Sequence, residues 1–219
     1  MTRAHFVTEL DLVHQNLISM GELTLKSVAH CLDCLGKTEG ATYEQATELE
    51  SKIDDMSRTV HDQALAILVL QSPVARDARL ITGILGSAVD LEQIADYAYE
   101  ISDLAFQTNR RPTAQVLSQV ASIGKKVNEM LGTAVDSWKH IDRALGPFAR
   151  TAEESIRNDC RVLTEKLYQL SSAPADAQVY VNLILICKHF ERMARHIFYV
   201  AENATSAAPS SDISTSSLS

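Results

Sequence analysis

The sequence contains an internal repeat, which limits the folds open to it. When the sequence is compared with itself at an offset of 99 residues, Leu91 matches Phe190 and Glu92 matches Glu191. Around both positions, apolar residues recur every three or four residues, as they do on the buried side of an amphipathic helix. The pattern predicts two copies of one helical unit.

Turn residues divide each copy into three helices. The chain has only 8 Gly and 5 Pro in 219 residues, fewer than a β-sheet protein of this size needs for its turns. Ser72 and Pro73 are predicted to be the N-cap and the first residue of helix 3. The predicted fold is all-α, with two tandem three-helix bundles at residues 3–109 and 112–204. The Ser-rich tail, 205–219, is predicted to be disordered from its composition.

Charge is distributed unevenly between the two halves. Residues 1–109 carry 7 Lys and Arg against 17 Asp and Glu, whereas residues 110–219 carry 13 against 11. The net charge of −8 argues against sequence-independent binding to nucleic acid. The sequence contains neither a secretory signal nor an apolar run of about 20 residues, so we expect a cytoplasmic protein.

The pair Cys31 and Cys34 forms a C-x-x-C motif, which allows a redox or zinc interpretation. No second pair follows at the spacing of a zinc ribbon, and no βαβ pattern surrounds the motif. Residues three apart share a helix face, so we expect these cysteines to be core thiols in a reducing compartment.

Two acidic pairs occur on neighbouring helices. Glu50 and Asp54 lie four residues apart on helix 2, and Glu92 and Asp96 lie four apart on helix 3. Residues at this spacing share one helix face. Because a short turn near residue 72 joins the two helices, they must run antiparallel. All four carboxylates are therefore predicted to meet at one level, roughly 30 Å along the hairpin at 1.5 Å per residue.

Four converging carboxylates repel one another unless they are protonated or neutralised. A hard cation with oxygen ligands is the usual neutraliser, and iron, zinc, magnesium and manganese all remain possible identities. The alternative is that the four carboxylates are solvated and bind nothing. The spacing alone does not choose between these interpretations, although the presence of two facing pairs favours the metal.

The second repeat carries arginine where the first repeat carries aspartate. Glu153 and Arg157 occupy the positions of Glu50 and Asp54, and Glu191 and Arg195 occupy those of Glu92 and Asp96. Two cross-helix salt bridges, Glu153 to Arg195 and Arg157 to Glu191, are predicted to replace a second cation site.

These motifs resemble those of the PhoU family. Residues 91–96, L-E-Q-I-A-D, are similar to the family's L-E-R-I-G-D. Residues 71–79 resemble its Q-P-x-A-x-D-L-R turn, and residues 190–196 resemble L-E-R-I-G-D-H apart from Arg195. Met20-Gly21 and residues 200–203 also fit the pattern, and the resemblance covers about residues 5–204.

The resemblance implies a non-enzymatic cytoplasmic homodimer. Such a protein associates with a phosphate ABC transporter and a sensor histidine kinase, and it meets the membrane only through these partners. It restrains the phosphate-starvation response when phosphate is ample. It also implies metal ions on the acidic motifs, which Arg157 and Arg195 put in doubt for the second repeat. Arg76, Asp77 and Arg79 at the start of helix 3 either cap the helix or contact a partner.

Other functions remain as alternatives. A metal-storage or redox bundle of the di-iron type needs E-x-x-H motifs on facing helices, and no Glu in this chain has a His three positions later. A divergent relative of the PhoU family with a different partner, or a scaffold whose acidic motifs bind nothing, would also fit the sequence.

Overall fold

The regular structure in the described part of the chain is entirely helical. The computed structural model describes residues 3–37, 40–71, 73–107, 112–141, 146–171 and 177–208. The helices are α1 Arg3–Gly36, α2 Tyr43–Gln71, α3 Ala75–Gln107, α4 Ala114–His140, α5 Gly146–Leu170 and α6 Ala177–Ala207. The predicted fold class is confirmed.

The start of α2 matches its sequence signal, and the start of α3 does not. Gln45 N donates to Thr42 Oγ1 at 3.2 Å and Thr42 N donates to Gln45 Oε1 at 3.3 Å, which is the capping box that Thr and Gln three residues apart indicate. At α3, the backbone oxygen of Val74 accepts the first helical hydrogen bond, and the helix begins at Ala75. Pro73 therefore lies two residues before the helix, and Ser72 lies outside the described residues.

The C-terminal boundary also needs a correction, because residues predicted to belong to a disordered tail continue α6 to Ala207. Thr205 Oγ1 donates back to Ala201 O at 2.9 Å, and Ala207 and Ala208 are buried. A Cβ placed on Gly83 of α3 would lie 3.6 Å from Ala207 Cβ. Contact with α3 therefore holds this last turn in place. Residues 209–219 lie outside the described part.

The six helices form two three-helix bundles in two layers. Helices α2, α3, α6 and α5 lie side by side in that order, because α3 packs on α2 and α6, and α6 packs on α5. Helices α1 and α4 contact each other and cover this layer. The contact between α3 and α6 is the most extensive of all, so the repeats share one continuous hydrophobic core.

Close contact between the repeats depends on glycine. A Cβ placed on Gly124 of α4 would lie 2.3 Å from Leu32 Cδ2 of α1 and 3.0 Å from Phe190 Cζ of α6. Gly21, at the corresponding position of α1, would clash in the same way with Val135. The absent side chains let α1 and α4 approach within packing distance of one another.

The described helices were also compared with the length and hydropathy that a transmembrane helix needs, and none of them meets both.

Candidate metal centre

Three carboxylates from α2 and α3 come together as the antiparallel pairing predicts. Glu50, Asp54 and Asp96 each offer one oxygen, and these oxygens lie within 4.8 Å of one another. All three side chains are partly buried, and Ile53 and Ile94 beneath them are fully buried. Within the described ranges, no other group of three His, Cys, Asp or Glu residues is so arranged.

Glu92, the fourth predicted ligand, lies beside this group rather than in it. Its Oε2 accepts a hydrogen bond of 2.5 Å from Ser57 Oγ, and Ser57 is buried. Ser57 lies seven residues after Glu50, two helical turns along the same face, so the sequence carried a signal for this contact that we did not use. Asp96 Oδ2 accepts a hydrogen bond of 3.2 Å from Gln93 Nε2, which orients it.

The pKa values of all three carboxyl groups are raised. Burial raises the pKa of Glu50 and of Asp54, and the neighbouring carboxylates raise both further, while the Arg58 guanidinium acts in the opposite direction. The pKa of Asp96 rises to about 6, first because of burial and then because of the charges on Asp54 and Glu92. The surroundings of the three carboxylates therefore do not fully stabilise their combined negative charge.

The chemistry of these ligands fits a hard cation. All three are carboxylate oxygens, the donors that magnesium, manganese and iron accept and that zinc also binds. No thiol or imidazole belongs to the group. A cation there would offset the mutual repulsion that raises the three pKa values, so the arrangement suits a metal better than it suits three isolated solvated acids.

The second repeat does not contain the predicted cross-helix salt bridges. Arg157 instead pairs within α5 with Glu153 at 3.7 Å, and Glu191 pairs within α6 with Lys188 at 2.7 Å. Among the described residues, Arg195 forms no salt bridge. Both arginines are exposed, and an exposed ion pair gains too little energy for helix register alone to decide which partner a long side chain takes. Glu153 and Glu191 each have a cation three or four residues away on their own helix, and these are the partners they take.

The remaining sequence candidates lie away from this centre. Arg76 and Arg79 are exposed and Asp77 lies in the first turn of α3, where an acid is favoured by the helix dipole. Their role in partner contact stays a prediction. Cys31 and Cys34 are buried free thiols, and burial raises the pKa of both, so they are core residues.

Two histidine–carboxylate pairs that were not predicted from the sequence join the repeats at the contact between α3 and α6. His196 Nδ1 lies 2.8 Å from Asp90 Oδ1. His189 Nδ1 lies 3.1 Å from Glu100 Oε2, an ion-pair distance without hydrogen-bond alignment. Burial lowers the pKa of His189. The partners are about 100 residues apart, so no local pattern reveals them.

Comparison with known families identifies the fold and its repeats. The model of the PhoU domain matches residues 17–105 and again residues 120–204. The chain belongs to the PhoU family. Each match covers one three-helix bundle, so the duplication inferred from the sequence is a duplication of the PhoU domain.

Relatives in this family are similar over most of their length. A phosphate-specific transport system accessory protein PhoU homolog of Synechocystis sp. is 27% identical over 207 residues, covering 93% of this chain and 91% of the relative. A homolog with the same name from Pseudomonas aeruginosa is 28% identical over 202 residues, covering 90% of this chain and 82% of the relative.

Solved PhoU structures have the same architecture. The crystal structure of PhoU from Pseudomonas aeruginosa has a TM-score of 0.86 and 26% identity, covering 91% of this chain and 96% of that one. The phosphate transport system regulatory protein PhoU of Streptococcus pneumoniae has a TM-score of 0.84, covering 92% of this chain and 96% of that one. Its sequence identity is 20%, so this similarity supports the fold alone.

Proposed function

We propose that this chain is a cytoplasmic, non-enzymatic negative regulator of phosphate uptake and of the phosphate-starvation response. The observation that carries the proposal is the match to both PhoU domains, together with relatives that are named phosphate-specific transport system accessory proteins. These relatives align over 82% to 91% of their own length, so the similarity spans whole proteins rather than one shared domain.

In this proposal the chain acts as an adaptor. As a homodimer, it contacts a phosphate ABC transporter and a sensor histidine kinase, and so links transport to signalling. Long helices in two layers give a rigid body with broad side surfaces, which suits docking on two partners better than enclosing a substrate. Arg76 and Arg79 are exposed at the start of α3, with Asp77 half-buried between them, and we assign this group to such a contact.

The adaptor carries a metal ion on its first repeat only. Glu50, Asp54 and Asp96 hold the ion, with Glu92 kept beside them by Ser57. The ion supplies positive charge that neutralises the carboxylates. Because these residues belong to both α2 and α3, their neutralisation stiffens the hairpin. The second repeat, with Arg157 and Arg195 at the equivalent positions, holds none.

A reporter of the phosphate-starvation response tests the proposed role. In a strain that lacks this gene and grows with abundant phosphate, we expect the reporter to switch on, and expression of the wild-type chain to silence it again. A reporter that stays silent in the deletion strain contradicts the proposed role. That result would favour a divergent relative with another partner, for which the arginines at 157 and 195 are the supporting observation.

A further inference from the structure

The contact between the two PhoU domains is crossed by two histidine–carboxylate pairs at separate heights. Asp90 of α3 meets His196 of α6, and Glu100 of α3 meets His189 of α6. Residue numbers rise along α3 as they fall along α6, so the two helices run antiparallel. The pairs are ten residues apart on α3 and seven apart on α6, which is roughly 10 to 15 Å along the contact.

The pair of His196 and Asp90 is complete. His196 Nδ1 lies 2.8 Å from Asp90 Oδ1 with the alignment of a hydrogen bond. An ionised carboxylate can only accept, so Nδ1 carries the proton and donates. Nδ1 carries that proton both in this neutral tautomer and in the imidazolium ion. The bond is therefore made whether or not the ring is charged, and it holds the two domains together in both states.

The pair of His189 and Glu100 is incomplete. His189 Nδ1 lies 3.1 Å from Glu100 Oε2, yet this nitrogen is buried and forms no hydrogen bond. The side chain of His189 is 13% exposed and that of Glu100 is 52% exposed. The ring thus lies inside the contact and the carboxylate lies at the surface. A neutral ring in this position leaves a buried polar atom unsatisfied, which costs free energy.

The surroundings of His189 favour the neutral ring where it now lies. Burial lowers the pKa of His189, Arg192 acts in the same direction, and Glu100 opposes both. The ring of Tyr97 lies 5.6 Å from that of His189, and the guanidinium of Arg192 lies 5.8 Å from the ring of Tyr97. A proton that binds here therefore places a second cation beside Tyr97, in a site with little access to water.

The other helices that pack on α6 direct their paired charges elsewhere. Arg150 of α5 lies 3.6 Å from Glu202 of α6. Glu202 follows His189 by 13 residues, roughly 20 Å along the helix. In the described part of α4, the ion pairs are with α1, with α5 or within α4 itself. Glu100 and Arg192 are thus the charged groups that act on the ring of His189.

We propose that His189 makes the contact between the two PhoU domains sensitive to protons. When the ring takes up a proton from solvent, the imidazolium leaves its place beside Tyr97 and pairs with Glu100 at the surface, where water also reaches it. The contact loses a buried ring, so α3 and α6 loosen at this height while the pair of Asp90 and His196 stays made. This inference goes beyond the proposed function, because it concerns the junction of the two domains.

Acid should weaken this junction. The pKa of His189 is lowered below its ordinary value of 6.5 in the folded chain, so the stability linked to it is present above that pH and is lost as the pH falls. Asp96 acts in the opposite direction, because its pKa is raised to about 6 and its protonation favours the folded chain. A variant that lacks only His189 retains Asp96, so comparison with wild type separates the two effects.

Hydrogen exchange at pH 7.5 and pH 5.5, corrected for intrinsic rates and performed in chelator, measures the junction directly. In wild type, the opening constants of amides in residues 97–104 and 185–192 should be at least about fivefold larger at pH 5.5. His189→Gln keeps a polar side chain that binds no proton in this range, so it should show no such increase. Ring signals in NMR, assigned with this variant, should give His189 a pKa below 6.5.

Two further variants complete the experiment. His61→Gln changes an exposed histidine of α2 and should keep the wild-type increase. Glu100→Gln removes the surface partner of the imidazolium, so the opening should occur at a lower pH than in wild type. Glu100 is exposed, so this variant is expected to fold and to test the proposal even where His189→Gln does not.

Two results would overturn the proposal. One is an equal increase in exchange in wild type and in His189→Gln. The other is a His189 ring that titrates in wild type while exchange in both segments stays unchanged. Either result leaves the proposed regulatory role standing, because the phosphate-starvation reporter tests that role separately.

Discussion

The chain with Asp54→Asn and Asp96→Asn should bind Mn²⁺ at least about 100-fold more weakly than wild type. The two substitutions remove two of the three carboxylates that lie within 4.8 Å of one another. Loss of the charge of even one supporting group typically costs 10- to 100-fold in metal affinity. Asparagine keeps the shape of aspartate, so the fold is expected to survive. Isothermal titration with Mn²⁺ measures the loss directly.

The matched control for this experiment comes from the second repeat. Glu153→Gln with Glu191→Gln removes two acids at equivalent positions, where we propose no metal. This variant should keep the wild-type affinity and stoichiometry. Equal Mn²⁺ binding by the Asp54/Asp96 variant and wild type would show that the first repeat is not the site. A loss in the control variant instead would place the metal on the second repeat.

The same titration should depend on pH in one direction. Burial and the neighbouring carboxylates raise the pKa of Asp96 to about 6. Above that pH the carboxyl is ionised and free to bind, whereas below it a bound proton must leave before the metal can enter. Mn²⁺ affinity should therefore fall as the pH drops from 7 through 6 to 5. Affinity that is unchanged over this range would contradict a role for Asp96 as a ligand.

Replacing Trp138 by alanine should destabilise the protein by about 4 kcal/mol. The side chain is almost fully buried. Its indole Nε1 lies 3.1 Å from Ser87 Oγ of α3 and 3.1 Å from Val200 O of α6. The backbone oxygen of Trp138 lies 2.9 Å from His14 Nε2 of α1. One residue of α4 thus joins both repeats, and its loss leaves a cavity at their junction.

Urea unfolding followed by circular dichroism measures this effect, because the substitution removes the single tryptophan that fluorescence would report. Trp138→Phe keeps most of the apolar volume and loses the indole N–H. It should cost less than the alanine variant, about 1–2 kcal/mol. A cost below about 1 kcal/mol for Trp138→Ala would mean that the repeats are not joined through this side chain.

The register of the acidic site followed from the sequence, but the choice of partners within it did not. Spacing of four residues and a short turn were enough to bring Glu50, Asp54 and Asp96 together. The same reasoning included Glu92, whose carboxylate is hydrogen-bonded to Ser57 instead. Helix geometry fixes which residues are neighbours, whereas a side chain with several neighbours chooses among them through local hydrogen bonds.

The second repeat illustrates the same limit for exposed charges. The equivalence of Arg157 with Asp54 and of Arg195 with Asp96 could be inferred from the repeat alone. The predicted cross-helix salt bridges were wrong, because Glu153 and Glu191 pair with cations on their own helices. Long exposed side chains gain little from one particular partner, so sequence register does not determine their pairing.

Composition misled the prediction at the C-terminus. The Ser-rich composition predicts a disordered segment from residue 205, although Ala207 and Ala208 are buried and α6 continues to Ala207. Small apolar residues within a polar segment can still pack where a neighbouring helix lacks a side chain. Gly83 on α3 provides that space, and it lies far from residue 207 in the sequence.

Binding to the phosphate transporter is the direct test of the proposed role of this chain. The measurement is the affinity of the purified chain for the detergent-solubilised phosphate ABC transporter of the same organism, immobilised on a biosensor. We expect saturable binding to this transporter and none to an unrelated ABC transporter. A folded chain that binds neither, with and without added Mn²⁺, would contradict its proposed role as an accessory protein of phosphate transport.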